Sequence, residues 1–165
     1  MCFSKKAALK KLLHEMFQET KGMQFFGGST ISSKRAVDLS YIKVVSETLG
    51  ERSQALLGQR GAFELRYDVD KKDVSLMLVF DYAQGTKKAK CVDNTFKMLE
   101  GEGKEGSVDQ FIHALDLCHV EDEDMYELTL KMNNVSRGKV IKATRFLFKK
   151  ASVYLESLEG LFAEL

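Results

Sequence analysis

The chain has 165 residues, 44% of them apolar and 30% charged, enough to bury one core without disulfide or metal and too apolar to stay disordered. With 25 Lys and Arg against 24 Asp and Glu, the net charge of +1 supplies no global field to draw in nucleic acid or an anionic membrane. No run approaches the roughly 18 apolar residues of a membrane span, so a soluble chain is expected, and the start MCFSKKAALKKLLHEMF breaks up its apolar residues as a signal peptide does not.

Cys2, Cys91 and Cys118 are odd in number and lack C-x-x-C spacing, which points to reduced thiols and a cytoplasmic location. Asn134-Val135-Ser136 fits a glycosylation acceptor, and with no secretory signal read at the start the match is expected to be accidental. Proline is absent, although ordinary usage would supply roughly 8, and its absence favours uninterrupted helices.

Leu9, Leu12, Leu13, Met16 and Phe17 recur at helix spacing and predict a helix over 4–21, with Ser4 to cap it and Gly22 to end it. MQFFGGST follows, and Gly27-Gly28 predicts a chain reversal. A second helix is expected from Ser33, with Val37, Tyr41, Val44, Val45 and Thr48 or Leu49 on one face; the β-branched cluster Ile42, Val44 and Val45 fits a strand as well. Arg52 to Leu57 reads as a short helical piece closed by Gly58.

Phe63, Leu65, Tyr67 and Val69 alternate with polar residues, as do Val74, Leu76, Leu78 and Phe80, and Asp70-Lys71-Lys72-Asp73 joins the two runs. This pattern predicts an antiparallel hairpin over 62–82. Its second arm also carries Met77 and Val79, so it is expected inside the sheet, with the first arm nearer an edge. Lys87 to Val92, after a turn at Gly85, is expected as a third strand.

From Asp93 the chain reads as helical through Phe96, Met98 and Leu99 and then enters the loop GEGKEGS. Ser107-Val108-Asp109-Gln110 matches a capping box, with Val108, Phe111, Ile112 and Leu115 as the face of the helix behind it. Glu121 to Asp124 precede Met125, Leu128 and Met132 as acids at a helix N-terminus do, and Asn133-Asn134 closes that helix. The last helix, 137–163, repeats Val140, Leu147, Tyr154 and Leu161 every seven residues, and likewise Ile141, Phe148, Leu155 and Phe162, with Ala151 and Leu158 between them. So broad a stripe can face a core on one side and a partner on the other. The expected fold is α+β: a small antiparallel sheet of the hairpin 62–82 and a third strand, packed with five or six helices including a long C-terminal one, in one domain over 1–165.

Chemistry-bearing patterns are sparse. His113, Cys118, His119, Glu121 and Asp122 are the one cluster of metal-ligand types, and their spacing matches no zinc pattern. No nucleophile signature surrounds Cys91, Cys118 or the serines. Gly27-Gly28-Ser29-Thr30 resembles a phosphate-binding turn but has neither Walker spacing nor its lysine. No catalytic residue, cofactor or metal is therefore expected. Basic residues gather at Lys5, Lys6, Lys10 and Lys11, at Lys87, Lys88 and Lys90, and at Arg137, Lys139, Lys142, Arg145, Lys149 and Lys150; on a shared face they would suit a phosphate backbone.

The last helix is basic in its first half and carries Glu156, Glu159 and Glu164 in its last third, an order that opposes its own dipole. An antiparallel copy would set basic half against acidic half, so Arg145, Phe148, Lys149, Tyr154, Leu155, Leu158 and Phe162 are candidate contacts of a homodimer or of another protein. The function expected first is a non-enzymatic protein-interaction module of adaptor, chaperone or inhibitor type. A nucleic-acid-binding regulator using the basic helices comes second, and an enzyme with a site near Cys118 and His119 third.

Overall fold

The alternation in the hairpin becomes the centre of a six-stranded antiparallel sheet. The computed structural model describes residues 2–21, 25–26, 30–35, 41–104 and 114–165. In chain order these form α1 (Cys2–Lys21), β1 (Thr30–Arg35), β2 (Tyr41–Thr48), α2 (Glu51–Leu57), β3 (Ala62–Asp68), β4 (Asp73–Phe80), α3 (Lys87–Lys104), β5 (Ala114–Val120), β6 (Met125–Met132), a 3₁₀ turn (Arg137–Lys139) and α4 (Val140–Ala163). The strands lie in the order β1-β2-β3-β4-β6-β5.

The hairpin is as expected, with Phe63 opposite Leu78 and Leu65 opposite Leu76. So is the interior place of its second arm, because β6 pairs along β4, with Leu76 opposite Leu130 and Leu78 opposite Leu128. The first arm is not near an edge. β2 covers it, Val44 standing opposite Leu65 and Ile42 opposite Tyr67. The helix expected from Ser33 is thus two strands: Ile42, Val44 and Ser46 are buried while Lys43 and Val45 between them are not, the period of a strand with one face in the core. The turn motif Gly27-Gly28-Ser29 lies outside the described residues, and Thr30 opens a strand rather than a helix.

Three further expectations give way. Lys87 to Val92 opens α3 and is no strand; Thr86 accepts from the Ala89 amide at 3.2 Å and caps it, the signal that marks the start. The helix reaches Lys104, into the GEGKEGS stretch expected as loop. Glu121 to Asp124 form the turn of a β5–β6 hairpin, closed by a bond from the Asp124 amide to the Glu121 carbonyl at 3.3 Å, with Asp124 at φ 51°. Met125, Leu128 and Met132 fit a helix period, yet Leu128 and Leu130 are the residues fully buried, in strand alternation. The capping box at Ser107 lies outside the described residues, while Leu115 belongs to β5. Among the described residues there are four α-helices around a six-stranded sheet, in place of five or six around a small one.

The helices form one layer, with α1, α2 and α3 all packed on α4 and α4 packed on β4 and β6. Their core side presses on Ile42, Val44, Phe63, Leu65, Leu76, Leu78, Leu128 and Leu130. The opposite sheet face carries Lys43, Val45, Glu64, Met77, Val79, Thr129 and Lys131, all partly exposed. Lys43 pairs with Glu64 and Lys131 with Asp73 there, and Arg66 lies 4.3 Å over the Tyr41 ring, a surface suited to water.

Candidate interaction surface on the C-terminal helix

The apolar stripe of α4 is consumed by the chain's own core. Phe148, Tyr154, Leu155 and Leu158 are fully buried. Phe148 meets Phe26 at 5.1 Å and Phe63 at 5.6 Å, both edge to face, and Phe26 meets Phe63 at 4.5 Å, so one triad ties α4 and the turn after α1 to β3. Tyr154 donates its hydroxyl to the Val92 carbonyl at 2.8 Å, binding α4 to α3, and burial pushes that hydroxyl's pKa up. Phe162 packs edge-on against Tyr82 at 5.6 Å, and Lys88 stands over both rings. Of the residues expected at a partner contact, Arg145 and Lys149 are exposed and Phe162 partly so.

Arg145 is already engaged. It forks onto Glu19 of α1 at 2.8 and 2.7 Å, and this hydrogen-bonded pair holds the Glu19 carboxyl below its usual range. Glu159 receives the same fork from Arg52 of α2 at 2.9 and 2.6 Å, and Arg52 also lies 4.2 Å over the Phe25 ring. These pairs fasten the helix layer from within. They leave a different set of charges on the outside of α4.

That set is regular. Lys142, Phe146, Lys149, Val153, Glu156, Gly160 and Glu164 follow one another at intervals of four, three, four, three, four and four, the spacing of a helix–helix seam. At 3.6 residues per turn all seven fall within about 60° of Val153. Phe146 is partly exposed and the other six are exposed, Val153 at 45%. The seam is basic before Val153 and acidic after it, and the helix has no acid in its first turn and no base in its last. Sequence reasoning saw the charge order but took the apolar stripe for the contact. The missed signal was the second period, Lys142, Lys149 and Glu156 at intervals of seven.

A pocket of about 320 Å³ opens where β6 meets the start of α4. Its floor is Met132, Val135, Ala143 and Phe146, its side the Asn133-Asn134 turn, and its rim Lys139 and Lys142. The wall is fixed: Val135 is buried, its amide donates to the Lys72 carbonyl at 2.8 Å, and its carbonyl accepts from the Tyr67 hydroxyl at 3.2 Å. Among the described residues no carboxylate lines it.

The other constellations do not assemble. Cys118 and His119 are neighbours on β5 and so point to opposite faces of the sheet. His113 lies outside the described residues, and no group of three metal-ligand side chains exists among the described ones. His119 instead contacts Asp124 at 2.7 Å and lies tilted against the Tyr126 ring at 4.9 Å, while Asp124 also accepts from the Gln84 amide at 2.9 Å. Arg60 adds a fork onto Asp81 and a bond to the Glu123 carbonyl at 3.2 Å, so these groups clasp three loops at one end of the sheet. Two of the basic clusters are also far apart. Lys88 sits at Phe162, roughly 30 Å along α4 from Lys142 at 1.5 Å per residue. No helix of the described structure is long and apolar enough to cross a membrane.

Comparison with protein-family models, curated proteins and solved structures finds no match to this chain.

Proposed function

We propose that the chain is a non-enzymatic protein-interaction module whose first partner is a second copy of itself, joined through the outward seam of α4. The observation that carries this reading is the charge antisymmetry of the seam about an exposed valine. An antiparallel copy with Val153 on the two-fold axis brings Lys142 against Glu164, sets Glu156 beside Lys149, and lays Phe146 over Gly160. Gly160 suits that place, because a Cβ built on it would meet nothing within 4 Å and the surface there is open to an incoming ring. The same pairing accounts for an order of charges that the isolated helix dipole disfavours. Buried Cys91 and exposed Cys118, both free thiols, fit a reducing compartment for such a module.

Analytical ultracentrifugation tests it. The expected result is a dimer that dissociates on dilution and weakens as salt rises, since its charge pairs lie at the surface. Val153→Asp, at an exposed position, leaves a folded monomer. A wild-type monomer at millimolar concentration overturns the reading, as does a Val153→Asp variant that dimerises as well as wild type.

A further inference from the structure

The pocket at the start of α4 has a wall locked by Val135, an apolar floor, and a rim with two lysines that make no ion pair among the described residues. We infer that it is the seat for Glu164 and Leu165 of a second copy, an inference that rests on the antiparallel pairing of α4. Three observations point to this occupant.

The first is register. With Val153 on the axis, a residue eleven places after it lies against the residue eleven places before it, so Glu164 of one copy arrives at Lys142 of the other, at the pocket rim. Lys139 lies one turn further on and closes on the same carboxylate from the other side. The second is chemistry. Leu165 is 57% exposed, an apolar side chain next to a carboxylate, and the pocket offers an apolar floor next to two ammonium groups. Lys139 and Lys142 supply the positive charge that Glu164 lacks on its own copy, where the last turn of α4 holds no base.

The third is area. A stable interface buries roughly 1,000 Å² or more, and of the seven seam residues Phe146 and Val153 alone are large and apolar. The two-fold axis creates the seat twice, once at each end of the seam, so each dimer fills two pockets of about 320 Å³ with two leucines. The seam then sets direction and register, and the pockets supply the apolar contact that holds it. The C-terminal end of α4 and the β6–α4 junction, far apart in one copy, become one site in two.

The test uses the full chain with its methionine methyl groups labelled for NMR. Met132 lines the pocket, and Met98, 56% exposed on α3, is the internal reference. On passing from dilute monomer to dimer the Met132 methyl signal is expected to shift and the Met98 signal to stay. Leu165→Ser is expected to abolish that shift and to weaken the dimer about tenfold, and Lys139→Glu to weaken it by a similar factor; both sites are exposed, so the fold survives and circular dichroism verifies it. In a Cys2→Ser, Cys118→Ser background, Lys139→Cys combined with Leu165→Cys is expected to give a covalent dimer on mild oxidation, whereas Lys11→Cys with Leu165→Cys is not. A dimer of unchanged affinity in Leu165→Ser with a stationary Met132 signal overturns the seat while leaving the seam intact. A wild-type protein that never dimerises overturns both.

Discussion

Phe148→Ala separates the two roles that a residue of α4 can have. Placed on a partner-facing stripe, Phe148 would lower dimer affinity when truncated and leave the stability of one copy alone. Buried as it is against Phe26 and Phe63, it should behave as a core ring. Large-to-small truncation of a buried Phe costs about 3–5 kcal/mol. The upper half of that range applies here, because two edge-to-face contacts of about 0.5–1.5 kcal/mol each leave with the ring. Against a total of about 5–15 kcal/mol for a domain, a loss of about 4 kcal/mol weakens the fold severely and unfolds it only if the total is small. With a urea slope of about 2 kcal/mol/M, the midpoint falls by about 2 M. The assay is urea denaturation followed by far-ultraviolet circular dichroism, since the chain has no Trp to report by fluorescence. Phe148→Leu keeps most of the volume and is expected to lose about 1.5 kcal/mol. A Phe148→Ala midpoint lowered by less than about 0.7 M at unchanged slope, together with a weakened dimer, would refute the placement of Phe148 in the core.

Three further outcomes follow from the loops and the ionised groups. Gly58 has φ 93° and a Cβ there would come within 2.9 Å of the Asp81 carbonyl oxygen, so Gly58→Ala should cost more than about 1 kcal/mol by thermal melting; an unchanged melting temperature contradicts the left-handed turn. The Arg60 fork holds the Asp81 carboxyl below its ordinary 3.8, so its contribution is complete above that value and is lost as pH falls through the depressed folded pKa. Asp81→Asn should flatten the acid limb of a stability–pH curve below about pH 4, and an unaltered acid limb would count against the clasp. At the other extreme, burial pushes Tyr82 up to about 12 while the unfolded chain ionises at about 10. The unfolded state loses protons first, so stability should fall as pH rises from 10 towards 12, and Tyr82→Phe should reduce that slope; an equal slope in the variant would remove Tyr82 from the effect.

Period and capping explain which parts of the fold were legible. The hairpin β3–β4 was, because its alternation runs unbroken through both arms and its connection is wholly polar. The C-terminal limit of α4 was, because nothing in 140–163 interrupts the helix, while its expected start at 137 is a 3₁₀ turn before Val140. β5 and β6 were not: Met125, Leu128 and Met132 satisfy a helix period as well as Leu128 and Leu130 satisfy a strand period, and an acidic run serves a helix start and a tight turn equally. α3 was misjudged at its start: the turn at Gly85 is there, with φ 87°, but Thr86 after it caps a helix where a strand was expected. β2 was ambiguous because its decisive partner is β3, a neighbour in space whose pairing no local window contains.

The candidate site shows the same limit from the other side. On α4 the eye is drawn to large apolar residues, and those are the ones a core recruits first: Phe148, Tyr154, Leu155 and Leu158 lie inside. What remains for a partner is the thinner stripe, with small or charged residues at five of its seven places. Its meaning lies in order, since Lys142 in the first turn and Glu164 at the C-terminal cap oppose the helix dipole at a cost of about 0.3–1 kcal/mol each, and Lys149 and Glu156 repeat the same order between them. The dipole of an isolated helix does not favour that arrangement. In the proposed antiparallel pair the sign would reverse: Lys142 would meet Glu164 across the axis, and the lysines at the pocket rim would gain the carboxylate that their own helix end lacks. The sequence rule that α4 breaks is therefore the observation on which the proposed pairing rests.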